Sequence, residues 1–404
     1  MDATDSSQAS DAASYRRATL SLIALDLAVF LGFMTIGMPL PVIPLYVGHA
    51  LAFGNVLVGV AVGSQFLATI LTRGFAGREA DHSGARRVML RGTFFCALSG
   101  VGLILCAALP LPAVARLVIL IAGRLVLGFG ESQLIVGALG WAIGTVGQAR
   151  SGTVLAWTGM AMYGAVAAAA PLGYWLYGRG GLPYVGIATI LLPMLSALLA
   201  FPVPGIAPHG GRRPSFWRVM GLVWQPGAAL LMQGVGFAAI GAFMSLDFAS
   251  HGWTGTGVAL TCFGVAFVLV RIFFGHLPDR FGGTPVALVA LAIEAIGQTV
   301  LFAAPAAWAA LLGAFITGAG CSMVFPSLGV EIVRRISPQI RATALGGFAA
   351  FQDLAYALTG PITGLFATAF GYPSVFAVGA ACALTGLAIV MAMARGALGW
   401  GART

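Results

Sequence analysis

A short set of ionisable residues lies inside long apolar runs: Asp26, Arg124, Glu131, Asp247, Glu294, Glu331 and Asp353. A charge at mid-bilayer costs roughly 2.5–3.5 kcal/mol even on the gentlest scale, so such a group lines a cavity or has a partner. Carboxyls of this kind can carry a proton or meet a solute. Arg124 and Glu131 lie seven apart, on one helical face but two turns from each other, too far for a direct bond along a straight helix. Two readings stand for Glu131 and Asp26: a coupling acid, or a static ion pair with Arg124. Gln233, Phe237, Ile240, Met244, Asp247 and His251 recur at three- and four-residue spacing, a stripe able to line a pathway. Asp247 and His251 sit near its end, at the interface, where charge is cheap. Asp353 follows Gln352 in mid-run, a more costly place. Glu294 is expected to pair within the bundle, with Arg271 as the candidate. Glu331, three and four residues before Arg334 and Arg335, is expected to form an interfacial salt bridge.

None of these groups forms a catalytic constellation. The sequence has no GxxxxGK[ST], HExxH or GxSxG pattern. ATP hydrolysis, a bound metal, a cofactor and a catalytic residue are therefore not expected. The five cysteines (Cys96, Cys106, Cys262, Cys321, Cys382) fall in apolar runs without a CxxC, as small buried hydrophobes do.

The elements that must hold these charges are membrane helices. The chain has 404 residues, 59% hydrophobic and 8% charged, against roughly 25% charged in a soluble domain. Crossing about 30 Å of hydrocarbon takes roughly 20 apolar residues. Twelve spans are predicted. The first six are Leu20–Tyr46, Val56–Phe75, Val88–Leu109, Val114–Ile143, Gly152–Tyr177 and Val185–Val203. The second six are Leu222–Phe248, Gly257–Phe274, Pro285–Ala304, Ala309–Val333, Thr343–Ala369 and Ser374–Ala394. The domains are a disordered tail (1–18), a six-helix bundle (19–203), a linker (204–221), a second six-helix bundle (222–396) and a short tail (397–404). Arg16 and Arg17 precede the first span and no small-residue cleavage site follows, so they are read as its start.

All 21 basic residues are arginines. All but Arg116, Arg124 and Arg179 fall on one set of loops, flanks and tails, which by the positive-inside rule puts both termini and the linker in the cytoplasm. That sorting explains the net charge of +9 better than nucleic-acid binding does. The expected partners are lipid, protons and a small-molecule solute, with no nucleic acid, and a monomer is expected.

The halves repeat each other. RGFAGREADHSG, from Arg73, matches RIFFGHLPDRFG, from Arg271, sharing Arg, Gly, Asp and Gly at one fixed offset. GRLVLGFGES, from Gly123, matches GAFITGAGCS, from Gly313, and at the same offset Pro171 meets Pro361. In that register Arg124 aligns with Ala314 and Glu131 with Cys321, so the scaffold does not require those charges. Duplicated halves recur in secondary transporters, with the substrate site between them near mid-membrane.

GREADHSGARR resembles the loop signature of the major facilitator superfamily, Gly-x3-Asp-Arg/Lys-x-Gly-x-Arg/Lys-Arg/Lys, with His82 in place of a basic residue. GHLPDRFGG is its second copy, without the terminal basic pair. Arg124 with Gly128 and Gly130 resembles the motif of proton-coupled members. Gly159, Gly164 and APLG (170–173), with the cleaner GPITG (360–364), resemble that of drug exporters. QDLAYALTGPITG is similar to exporters near the arabinose-efflux permeases. The resemblance implies an all-α membrane fold of two pseudo-symmetric six-helix bundles, and proton-coupled efflux of a small organic solute across the inner membrane. Import by symport or facilitated diffusion is the rival, and a membrane sensor or enzyme a distant one. The resemblance implies that helices 1, 4, 7 and 10 line the cavity, bringing Asp26, Arg124, Glu131 and Asp247 around one space, with Asp353 as a further cavity candidate. It also implies that Gly77, Asp81, Gly84, Arg86 and Arg87, with Gly275, Asp279, Arg280 and Gly282, latch the halves together on the cytoplasmic side. GMPLPVIP (37–44) and GPITG are expected to kink or loosen helices 1 and 11.

Overall fold

The computed structural model describes residues 2–147, 150–207, 221–336 and 341–396, without the side chains of 2–15 and 341–343. Most of the expected linker and the C-terminal tail lie outside the described residues. Among the described residues all regular structure is helical. Helix α1 is Asp2–Gly37, α2 Asn55–Ser83, α3 Ala85–Ala108 and α4 Ala113–Val146. The run Ser151–Ala200 is broken at Gly180 and Gly181. Gly181 has φ 66°, open to a residue without Cβ, and there the chain folds back. Its arms are α5 (151–179) and α6 (182–200). The second half holds α7 (Trp224–Ser250), α8 (Val258–Phe274), α9 (Gly283–Phe302), α10 (Ala307–Arg335), α11 (Arg341–Phe370) and α12 (Pro373–Ala394). These are the twelve spans, in two groups of six, that the sequence predicts.

Lipid explains the surface. Leu71 is 74% exposed and Phe370 75%, a waste of apolar area in water but the natural outer face of a bundle in hydrocarbon.

One local feature departs from expectation. The two proline-rich clusters behave differently from each other. The first breaks α1 at Gly37, after which Val42–Leu45 and a π turn at Tyr46–Ala50 carry the chain on. The second leaves α11 helical through Pro361.

The repeat is visible in backbone detail. Gly84 and Gly282 both have φ 91°, and their N–H groups donate to Ala80 O and Pro278 O, each at 3.1 Å. Helix α4 packs on α3 as α10 packs on α9. A methyl on Gly130 would sit 2.7 Å from Cys96 N, and one on Gly320 2.5 Å from Glu294 N. Cys96 and Glu294 are thus equivalent, in the register that relates Gly84 to Gly282.

The halves seal at the end remote from these motif loops. Gly59 meets Gly360 backbone to backbone, and a methyl on Gly364 would lie 2.6 Å from Asn55 O. Asn55 Nδ2 donates to Thr368 Oγ1, and Tyr372 OH to Asn55 Oδ1, both at 3.3 Å. On the opposite flank Thr261 Oγ1 donates to Ala167 O at 2.8 Å. Small residues let the backbones approach this closely, as in other membrane helix pairs.

Candidate functional site

Between the halves lies a cavity of about 160 Å³. Its wall runs toward the motif-loop end along Ile135 and Leu139 of α4, Leu155 of α5 and Ala349 of α11. Its floor, toward the sealed end, is aromatic. Tyr163 OH and Tyr356 OH, one from each half, are 2.9 Å apart. Tyr163 stacks on Phe267 at 3.8 Å and meets Phe237 edge-on at 5.7 Å, and Phe66 meets Tyr356 at 5.1 Å. Gln352 Nε2 reaches Tyr163 OH at 3.5 Å and Gln233 Oε1 at 3.4 Å. An apolar wall with a few convergent polar groups is the usual constitution of a ligand site.

Four charged side chains line the cavity: Arg73, Glu131, Arg271 and Asp353. Glu131 Oε2 accepts from Gln65 Nε2 at 2.7 Å and from Thr69 Oγ1 at 3.0 Å, both on α2. Both hydrogen-bond partners are neutral, and Arg124 is not one of them. Arg73 Nη2 and Asp353 Oδ2 are 2.6 Å apart, an ion pair joining α2 of one half to α11 of the other. Arg271 has no acid partner among the described residues, and its Nη2 donates to Ser322 O at 2.6 Å.

Of the five charges the sequence assigns to the cavity, the structure brings Glu131 and Asp353 to its wall. The other three lie elsewhere. Asp26 accepts from Thr158 Oγ1 at 2.9 Å; it is Thr158 that lines the cavity. Arg124 is 2% exposed, and its Nη2 donates to Val62 O at 3.3 Å, against α2. Asp247 lies 3.5 Å from His251 Nδ1, near the sealed end. Belonging to a cavity-lining helix does not fix which face a residue occupies. Within the α7 stripe only Phe237 reaches the wall.

Arg73 and Arg271, loop flanks by the arginine sorting, both line the cavity instead. Their signal was the repeat, which opens on this pair. The expected Glu294–Arg271 pair is also corrected. Arg271 points to Ser322, whereas Glu294 is wholly buried beside the Cys321 thiol. Glu331 does sit 3.9 and 3.6 Å from Arg334 and Arg335, and it accepts from Gly283 N at 3.1 Å. The five cysteines are free thiols.

The motif loops sit at the open end. Arg86 Nη2 donates to Phe201 O at 2.7 Å and its guanidinium lies 5.1 Å from the Phe201 ring, so it is held within its own half. Arg91 pairs with Glu79 at 3.5 Å and also bonds Gln133, in the same half.

Comparison with known proteins agrees with this architecture. The profile of the Major Facilitator Superfamily matches residues 25–254 and 227–397. An uncharacterised MFS-type transporter of Salmonella typhimurium is 50% identical over 93% of this chain and 97% of its own length. One of Pseudomonas aeruginosa strain UCBPP-PA14 is 39% identical over 93% and 94%. Among solved structures, a D-xylose–proton symporter superposes with TM-score 0.75 at 17% identity, over 91% of this chain and 97% of that one. The nucleoside transporter NupG gives 0.72 at 15%, over 92% and 99%. At such identities the likeness is one of fold. The profile and the sequence relatives go further: this chain is a multi-pass membrane protein of the major facilitator superfamily.

Proposed function

We propose that this transporter exports a small organic solute in exchange for protons, by alternating access across a bacterial inner membrane. The observation that carries the proposal is Glu131, a carboxyl on the cavity wall that accepts hydrogen bonds from neutral Gln65 and Thr69. Such an acid can take and release a proton in a space that a solute also enters. The ion pair Arg73–Asp353 ties the two halves together at the same depth. It is placed to break and reform as the halves rock. One charge moving through about 100 mV is worth roughly 2.3 kcal/mol, enough for a solute gradient of order 50-fold.

The arginine sorting supports cytoplasmic termini, and so an inward-open state with the motif-loop latch released. On this reading Asp81 and its neighbours, with Gly275, Asp279, Arg280 and Gly282, close that end in the opposite state. The exporter-like motifs support efflux and a place near the arabinose-efflux permeases. Symport inward is the second reading, favoured by the likeness to a D-xylose–proton symporter. Everted vesicles given an acid interior and a metabolite panel separate them. Antiport predicts solute accumulation that stops with an uncoupler. Accumulation only with an acid exterior contradicts efflux, and indifference to the gradient contradicts coupling.

A further inference from the structure

We propose that Arg271 is an anion seat, and that the substrate is a small carboxylate with a flat, aromatic body. This rests on the transport reading above and adds the substrate class to it.

The argument is one of charge and geometry. Arg73 and Arg271 occupy equivalent positions and both line the cavity. Arg73 is neutralised by Asp353 at 2.6 Å. Tyr163, at the position equivalent to Asp353, leaves Arg271 without a counter-charge. Arg271 donates from Nη2 to Ser322 O, and its buried Nε has no partner among the described residues. A guanidinium carries five donors and no acceptor, and this one's buried Nε is left without an acceptor inside the protein. A half-buried cation without a counter-charge is costly to hold. A carboxylate answers both needs, with two oxygens matched to the planar fork.

The surroundings leave room for it. A methyl on Gly159 would stand 3.6 Å from Nη1, in ordinary contact, so the absence of a side chain there is what leaves this edge of the guanidinium uncovered by α5. Phe267 lies under the guanidinium at 5.1 Å and Tyr163 stacks on Phe267. These rings offer faces and edges to a flat apolar body. Of the two arginines on the wall Arg271 is the one without a paired acid among the described residues, and a monoanion balances it. A cationic solute would instead meet both arginines.

The test is equilibrium binding to the purified full-length protein in detergent, without a proton gradient. Sodium benzoate, cinnamate and indole-3-acetate are each compared with the corresponding amide by isothermal titration. At least one carboxylate should bind about 10-fold more tightly than its amide, as expected for a charge-assisted pair. Arg271→Gln should erase that preference by weakening the carboxylate far more than the amide, and Arg271→Lys should keep part of it. The proposal is overturned if no carboxylate outbinds its amide, or if Arg271→Gln keeps the full preference. It is also overturned if that variant weakens acid and amide alike, for Arg271 would then only anchor α10 through Ser322. Failure here leaves the gradient experiment untouched. A failed gradient experiment with intact carboxylate preference leaves the anion seat standing.

Discussion

Each half of the bundle contains one glutamate beside one cysteine, with the two residues exchanged. In the N-terminal half the acid, Glu131, is on α4 and its equivalent-layer neighbour on α3 is Cys96. In the C-terminal half the cysteine, Cys321, is on α10 and the acid, Glu294, is on α9. The glycines that seat these neighbours, Gly130 and Gly320, match. Packing is therefore served by either order, but chemistry is not. Glu131 reaches the cavity wall, whereas in the other half the wall position goes to Cys321 and Glu294 is 0% exposed. A scaffold symmetric in backbone has become asymmetric in which acid a proton can reach. The arginines repeat the lesson: Arg73 faces an aspartate, and its equivalent Arg271 faces a tyrosine.

The strongest way to break that second contrast is Asp353→Ala. It strands Arg73, and removing one partner of a buried ion pair costs about 3–5 kcal/mol. Thermal unfolding in detergent should show a large drop, largely rescued by the double change Arg73→Gln with Asp353→Asn. A small effect from Asp353→Ala would reduce the pair to a surface contact. Next comes the sealed end. Gly360→Ala puts a methyl 2.5 Å from Gly59 O, and overpacking of this kind costs about 1–3 kcal/mol. Transport should fall while membrane insertion is normal; unchanged transport and stability would mean the seal tolerates separation.

Smaller effects sharpen the first contrast. Glu294→Gln replaces a wholly buried acid, both of whose oxygens lack a hydrogen-bond partner, with a neutral amide of the same shape. Stability should be unchanged or slightly raised, because no buried charge is left to desolvate, and uptake assays should show transport unchanged. Loss of coupling in that variant would contradict the division of labour between the two acids. Also small is Gly346→Ala, at the open end of α11, where a methyl meets nothing within 4 Å. Helix propensity alone should stabilise by up to about 1 kcal/mol. A loss of stability there would show that the open end is packed more tightly than this structure has it.

The spans, the two halves and the glycine register were readable in the sequence, because bilayer thickness and close backbone approach leave marks in composition. Glu131 and Asp353 were readable as charges in costly places. What the sequence did not disclose was orientation. Helices apolar on nearly every side carry little period to tell the cavity face from the lipid face, so Asp26, Arg124 and Asp247 were placed on the wall with equal reason. The Arg73–Asp353 pair was hidden because its partners belong to different halves. Each arginine also lies near the end of an apolar run, where a flanking charge is the ordinary expectation. The repeat marked both arginines, but matching residues announce shared architecture before they announce a site.

The central claim is that Glu131 carries the coupling proton. It is tested most directly by reconstituting Glu131→Gln, with Asp26→Asn as a comparison, and measuring two activities of each for the same solute. These are accumulation driven by a proton gradient and downhill exchange without one. The account predicts that Glu131→Gln loses accumulation by at least about 10-fold, the scale of a gradient worth roughly 1.4 kcal/mol, and keeps exchange, which needs no net proton movement. Asp26→Asn should keep both, because Asp26 is bonded to Thr158 behind the wall. Full proton-driven accumulation by Glu131→Gln would contradict the claim, and loss of exchange together with accumulation would move Glu131 from coupling to recognition or folding.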